Sequence, residues 1–134
     1  MRRVLIAAAL AAVLAGCGGS EEEQAPAATA DERAIAATLQ RYAEAVRARD
    51  ARTICTELLA PDVIEQVATA GGECERDLIA ERIAEGGPGY RLTVRSIEVA
   101  GDRATARTIA VERDGPRSVA QPLVRVSGGW RLSP

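Results

Sequence analysis

The sequence predicts an α+β domain in which helices come first and an antiparallel sheet of about four strands comes second. Three observations carry that expectation. Apolar residues recur at helical spacing from Ile35 to Ile83, and from Leu92 onward they alternate with polar ones. Glycine-bearing breaks at Gly101-Asp102, Asp114-Gly115 and Gly128-Gly129 divide the second half into hairpin-sized pieces. A run of helices and then a run of strands is the order of an α+β fold, in which helices cover one face of a curled sheet.

The first helix opens at Thr29, which with Glu32 fits a capping box. Ile35, Leu39, Tyr42 and Val46 then share one face, with Arg33, Arg41, Glu44 and Arg47 elsewhere on the cylinder. Asp50 suits the N-cap of a second, short helix carrying Ile54, Cys55, Leu58 and Leu59. Pro61 ends or restarts it, since proline fits a first helical turn and not an interior. Val63, Ile64 and Val67 mark a third helix up to Gly71-Gly72, and Cys74, Leu78, Ile79 and Ile83 a fourth, stopped by Gly86-Gly87-Pro88. Leu92 and Val94, then Ile97 and Val99, alternate along a first strand with a phase slip near Arg95-Ser96 that predicts a bulge. Ala104 to Val111 and Val119 to Val126 come next as strands, and a short fourth holds Trp130 and Leu132.

Ahead of the domain lies an address. Arg2-Arg3, the apolar run from Val4 to Leu14, and Ala15-Gly16-Cys17 supply the basic start, short greasy middle and small-residue cut of an export signal. Leu14-Ala15-Gly16-Cys17 resembles the cleavage box of bacterial lipoproteins, which implies loss of residues 1–16 and acylation of Cys17. The alternative is an ordinary secretory signal cut near Gly16. The apolar run is well short of the roughly twenty residues that cross a bilayer. Residues 17–30, rich in Gly, Glu, Ala and Pro, read as a lipidated tether, with Glu21-Glu22-Glu23 as a solubilising spacer, and residues 31–134 as one domain. The expected place is the extracytoplasmic face of the cell membrane, held there by lipid on Cys17.

Composition narrows the chemistry. The formal charge is −2 and becomes −4 once Arg2 and Arg3 leave with the signal, which offers no broad basic field for nucleic acid or for an anionic membrane surface. There is no His, and all seventeen basic residues are Arg. Imidazole bases, Schiff-base lysines and His metal ligands are therefore excluded, and no cofactor or metal is expected. With Cys17 assigned to lipid, Cys55 and Cys74 remain as an even pair in an oxidising compartment, where a disulfide is the expected state. Two free thiols or a redox pair are the alternatives, though the spacing is far from Cys-x-x-Cys.

Three stretches carry a family resemblance: Val46-Arg47-Ala48-Arg49-Asp50 at the end of the long helix, Ile97-Glu98-Val99-Ala100-Gly101-Asp102-Arg103-Ala104-Thr105-Ala106, and Leu123-Val124-Arg125-Val126-Ser127-Gly128-Gly129-Trp130-Arg131-Leu132. Their layout resembles NTF2-like domains, and the cysteine pair is similar to that of lipid-anchored actinobacterial members. The resemblance implies a cone in which the sheet wraps the long helix and leaves a pocket at its wide end. It also implies that the domain could pair with a second copy through its sheet. Members include isomerase-like and cyclase-like enzymes, dehydratases and proteins with no chemistry, so the fold does not decide the function.

In such a cone Tyr42, Tyr90 and Trp130 are the candidate pocket residues. Tyr42 either offers a phenol to the pocket or packs in the core with its hydroxyl on a backbone partner. Tyr90 falls at the rim, and Trp130 either stacks on a ligand or fills the base of the cone. Asp50, Glu57, Asp62, Glu98, Asp102, Glu112 and Asp114 mostly fall at caps, turns or strand positions expected to face solvent. Arg91, Arg95 and Arg125 either form an anion-binding patch, if they share a face, or belong to a solvated outer face of the sheet, which is the expected reading. These features favour non-catalytic binding of a small apolar ligand or an envelope protein. The alternative is an isomerase-like or cyclase-like enzyme that uses a pocket carboxylate with Tyr42.

Overall fold

The computed structural model describes residues 26–134. The signal segment, Cys17 and most of the tether lie outside the described residues. Among the described residues, no helix is long and apolar enough to cross a membrane.

Helix α1 spans Ala30–Ala48 and starts on the predicted capping box. The Thr29 hydroxyl accepts from the Glu32 N–H at 3.1 Å, and the Glu32 carboxylate accepts from the Thr29 N–H at 2.6 Å. It ends at Arg49, which adopts a left-handed conformation (φ 58°) more usual for glycine. Asp50 then caps α2 (Ala51–Thr53), accepting from the Thr53 N–H at 3.0 Å and its hydroxyl at 2.7 Å. Helix α2 widens at once into a π turn over Ile54–Leu58. Helix α3 (Pro61–Thr69) starts on its proline, and α4 (Cys74–Leu78) runs through a second π turn, Ile79–Ile83, into α5 (Ala84–Gly86).

The two π turns depart from the ordinary helices that the periodicity predicts. Each π turn holds an extra residue, which rotates the side chains beyond it around the axis. The first turn buries Ile54, Cys55 and Leu58, whereas the second buries Ile83 and leaves Ile79 42% exposed. The predicted disulfide is present: Cys55 in the first π turn is bonded to Cys74 at the start of α4, with Cα atoms 6.1 Å apart.

Strands β1 (Arg91–Ala100), β2 (Arg103–Glu112), β3 (Gly115–Val126) and β4 (Gly129–Leu132) form one antiparallel sheet in consecutive order. The predicted bulge lies between Val94, which faces Thr108, and Ser96, which faces Arg107. Two turns fall one residue earlier than expected. Glu112 pairs with Gly115 and Val126 with Gly129, so the loops are Arg113-Asp114 and Ser127-Gly128. In the second loop Ser127 (φ 50°) and Gly128 (φ 81°) are both left-handed, the requirement of a two-residue hairpin whose twist matches its strands.

The face of β2 turned to the helices is made of small residues. Ala104, Ala106, Thr108 and Ala110 are all buried, alternating with more exposed neighbours. Ala104, Ala106 and Ala110 share a core with Ile35, Leu39, Val46, Ile54, Leu58, Leu123 and Trp130. The start of α1 is fastened to the β3–β4 hairpin by Asp31. Its carboxylate accepts from Arg125 Nη2 at 2.7 Å and from Trp130 Nε1 at 3.3 Å, while the Arg125 guanidinium lies 4.6 Å from the Trp130 ring centre. Behind the first π turn, Ala60 N–H donates to the Leu132 carbonyl at 2.7 Å, and Leu59 bridges Leu132 in parallel.

These fastenings set measurable parts of the stability. Replacing Cys55 and Cys74 together by Ala removes a cross-link over 19 residues. It should lower the unfolding free energy by roughly 3 kcal/mol, read from urea denaturation. The Arg125 and Trp130 hydrogen bonds hold the Asp31 carboxyl below its usual value of 3.8. The stabilisation it provides is therefore present above that pH and fades as pH falls through the lower folded value. Wild type should be more stable than Asp31→Asn at pH 6, and the gap should close on acidification below about pH 4.

Candidate functional site

A cavity of about 690 Å³ lies between the concave face of the sheet and the helices α3 and α4, within the size range of small-molecule sites. Its walls follow from the alternation of β2. At the end of the strand away from Trp130, the inward positions are Thr108, Ala110 and Glu112, and all three line the cavity. Two of these side chains are too short to reach the opposing helices, and the space they leave is the cavity. Leu39, Leu59, Val63, Val67, Leu78, Leu92 and Val119 are among the side chains that supply its apolar surface.

Two phenols and an ion pair stand close together in this cavity. Tyr42 of α1 and Tyr90, just before β1, both line it and meet edge to face, with ring centres 6.3 Å apart and planes at 79°. The position of Tyr90 is set twice over. Arg47 Nη1 donates to its carbonyl at 2.9 Å, and its ring lies against Gly86, where a Cβ would stand 3.0 Å from Tyr90 Cδ2 and 2.7 Å from Val46 Cγ1. Glycine is needed there for close approach. Glu112 accepts from Arg117 Nη2 at 2.6 Å with its side chain 17% exposed, and Arg82 and Gln121 also line the cavity.

Burial pushes both phenols above their usual value of 10.0, and the nearby Glu112 charge adds to the effect. Tyr42 and Tyr90 thus stay neutral hydrogen-bond donors across the physiological range. Neither donates to the backbone, and no buried side-chain polar atom among the described residues lacks a partner, so both hydroxyls reach accessible cavity surface. The arrangement offers a chamber of mixed lining, with aliphatic walls, two neutral phenol donors, the Glu112–Arg117 pair and the charged side chains of Asp77, Glu81 and Arg82.

The residues singled out from the sequence divide among different places. Tyr42 and Tyr90 come together in the cavity, although Tyr90 is 8% exposed and not at an open rim. Trp130 lies outside the cavity lining. It is 4% exposed, and its indole N–H is spent on Asp31, because its β4 position places it beside Arg125 at the opposite end of the cone. Arg125 does not share a face with Arg91, since it points inward to Asp31. Glu112, expected to face solvent, instead lines the cavity because it continues the inward alternation of Thr108 and Ala110. The signal for it was present in Ala104-x-Ala106-x-Thr108-x-Ala110-x-Glu112, a period-two row of small residues ending in an acid. Among the described residues, no group of three His, Cys, Asp or Glu side chains is placed to hold a metal ion. Cys17 is outside the described residues.

No protein-family model matches the chain, and no curated protein matches it. Among solved structures it is similar to a Campylobacter jejuni protein provisionally called an NTF2-like transpeptidase. That likeness has a TM-score of 0.50 and 11% identity, and it covers 75% of this chain and 97% of the other. At that identity the likeness concerns the fold, and helices on a four-stranded antiparallel sheet in this arrangement make the fold an NTF2-like α+β cone.

The chain holds two tyrosines, so its alkaline titration reports the cavity alone. Tyrosinate absorbance should rise late, beyond the ordinary midpoint near pH 10, and unfolding the chain in urea should restore that midpoint. Because each folded value lies above the unfolded one, the stability these tyrosines contribute is complete below pH 10 and declines as pH rises further.

Proposed function

We propose that this protein is an extracytoplasmic lipoprotein, anchored through Cys17, whose NTF2-like cone binds a small apolar molecule bearing a polar end and performs no chemistry on it. The observation that carries the reading is the cavity itself, in which an aliphatic wall of Leu39, Val63, Val67, Leu78 and Leu92 meets Tyr42, Tyr90 and the Glu112–Arg117 pair. An apolar ligand body gains by leaving water, and neutral phenols fix its polar end without the desolvation cost of a buried charge. The lipobox supports the anchored placement. The absence of His and Lys, with Cys55 and Cys74 joined to each other, removes the usual activated nucleophiles. The same absences give no support for transpeptidase chemistry like that named for the Campylobacter jejuni protein. An envelope protein remains the alternative partner if the cavity takes no small molecule.

Ala110→Leu tests the binding reading, because Ala110 is 1% exposed in the cavity wall and a larger side chain there fills the chamber. Binding of an apolar fluorescent probe such as anilinonaphthalene sulfonate should weaken at least tenfold, with the overpacked wall lowering stability by about 1–3 kcal/mol in a chain that still folds. Unchanged probe affinity in a folded Ala110→Leu protein removes the cavity as the site.

A second reading is favoured by one observation: Glu112 provides a carboxylate in the same cavity as Tyr42, the pair that an isomerase-like or cyclase-like enzyme would use as base and polarising donor. The ion pair with Arg117 already occupies that carboxylate, which argues for a structural part in ligand binding. Glu112→Gln separates the two, since an enzyme would lose turnover with ligand affinity kept, whereas a binding protein would show only a change in affinity.

A further inference from the structure

The face of the sheet turned away from the helices carries a concentration of positive charge that the rest of the molecule lacks. Residues 26–89 contain twelve acidic residues and seven arginines, whereas residues 90–134 contain four acidic residues and eight arginines. The strand register distributes the latter. Arg91 faces Val111, Ser96 faces Arg107, and Ala100 faces Arg103, all at positions alternating with the buried row of β2, so these arginines lie on the outer face. Arg95, the bulged residue, is exposed beside them. None of the four arginines forms an ion pair among the described residues. Glu98 is the one carboxylate at an outward strand position there, and half-buried Ile109, Val111 and Val124 lie between the charges.

We propose that this outer face rests on the anionic phospholipid headgroups of the membrane to which the chain is anchored, so that the domain lies on the bilayer with its acidic helices turned away. The inference builds on the anchored placement proposed above. Phosphate headgroups suit guanidinium forks, which bind them bidentately, and the apolar side chains between can settle at the interface. The start of α1 is pinned to the sheet by Asp31, Arg125 and Trp130, so the chain leading from Cys17 leaves the domain at the sheet. The twelve Cα–Cα steps from Cys17 to Thr29 span at most about 40 Å, which keeps this face within reach of the surface. Each basic residue near an anionic leaflet strengthens contact about fivefold, and an acyl chain with a basic patch is the usual two-signal anchor. Self-association through the same face would bring like charges together.

The absence of lysine makes a one-residue probe available. Arg107→Lys keeps the charge and introduces a side-chain amine on this face, while Arg52→Lys does so on the helical side, where Arg52 is 81% exposed. Each full chain, attached to vesicles through its own N-terminal segment, is treated with an amine-reactive ester and followed by peptide mass spectrometry. With a third of the lipid as phosphatidylglycerol, labelling of Arg107→Lys should be about tenfold slower than on phosphatidylcholine alone, the occupancy that several such charges supply. Molar salt should abolish the difference, because the screening length there is about 3 Å. The Arg52→Lys chain should label equally on both vesicles. Adding Arg95→Glu and Arg103→Glu to Arg107→Lys should restore fast labelling. Equal rates for Arg107→Lys on the two lipids overturn the proposal. Slow labelling already on phosphatidylcholine also overturns it, and means that a second copy or the acidic Glu21-Glu22-Glu23 segment covers the face. The mass of the peptide containing Cys17, from chain made in a bacterial host, reports acylation separately, so failure of the anchor and failure of the docking are read apart.

Discussion

The row of small side chains on the inner face of β2 is the constraint on which the rest of this architecture depends. Ala104 and Ala106 allow the sheet to share a core with α1 at one end of the cone. Thr108 and Ala110 are as short, and with Leu39 and Tyr42 of α1 they border the cavity. Leucine or phenylalanine in this row would have closed the chamber or pushed the helices off the sheet, because interiors pack to near-crystalline density and do not absorb extra volume. The same alternation carries Glu112 inward at the strand's end, so the polar region of the cavity is a by-product of the register that makes the core.

Three kinds of fastening hold the helices against that sheet. The capping box fixes where α1 begins, and Asp31, next to it in sequence, ties that beginning to Arg125 and Trp130. The other end of α1 is held by Arg47 on the Tyr90 carbonyl and by the close approach of Gly86 to Val46. The disulfide joins the two π-turn segments, Cys55 lying within the first and Cys74 opening the helix that leads to the second. Because Cys74 and Leu78 also line the cavity, the cross-link restrains the wall that a ligand would meet. These devices compensate for a helical layer built of short pieces, most of which would not be stable alone.

The two faces of the sheet are chemically separate. Inward, the side chains are apolar or paired, and the two tyrosines keep their protons because burial opposes the charged form. Outward, Arg91, Arg95, Arg103 and Arg107 are exposed and form no ion pair among the described residues, set among half-buried aliphatic side chains. One strand pattern therefore serves two surfaces, a donor-bearing chamber and a cationic exterior, and neither needs the other in order to act.

The sequence by itself determined the helices-then-strands order, the cap at Thr29, the bulge near Arg95 and the joining of Cys55 with Cys74, since each depends on spacing, local hydrogen bonding or compartment and not on distant neighbours. The proposed export signal and lipid site at Cys17 rest likewise on a local pattern, which lies outside the described residues. The tertiary structure decided what no local pattern holds. The π turns displaced Ile79 from the apolar face, because a helix keeps an inserted residue, and the rotation of side chains that comes with it, only when packing rewards it. Register decided that Glu112 joins Tyr42 and Tyr90 in the cavity while Trp130 and Arg125 go to the opposite end with Asp31. A period of two says that residues alternate, but which set faces the helices, and which residues from different strands then meet, is settled only when the sheet pairs and closes over its core.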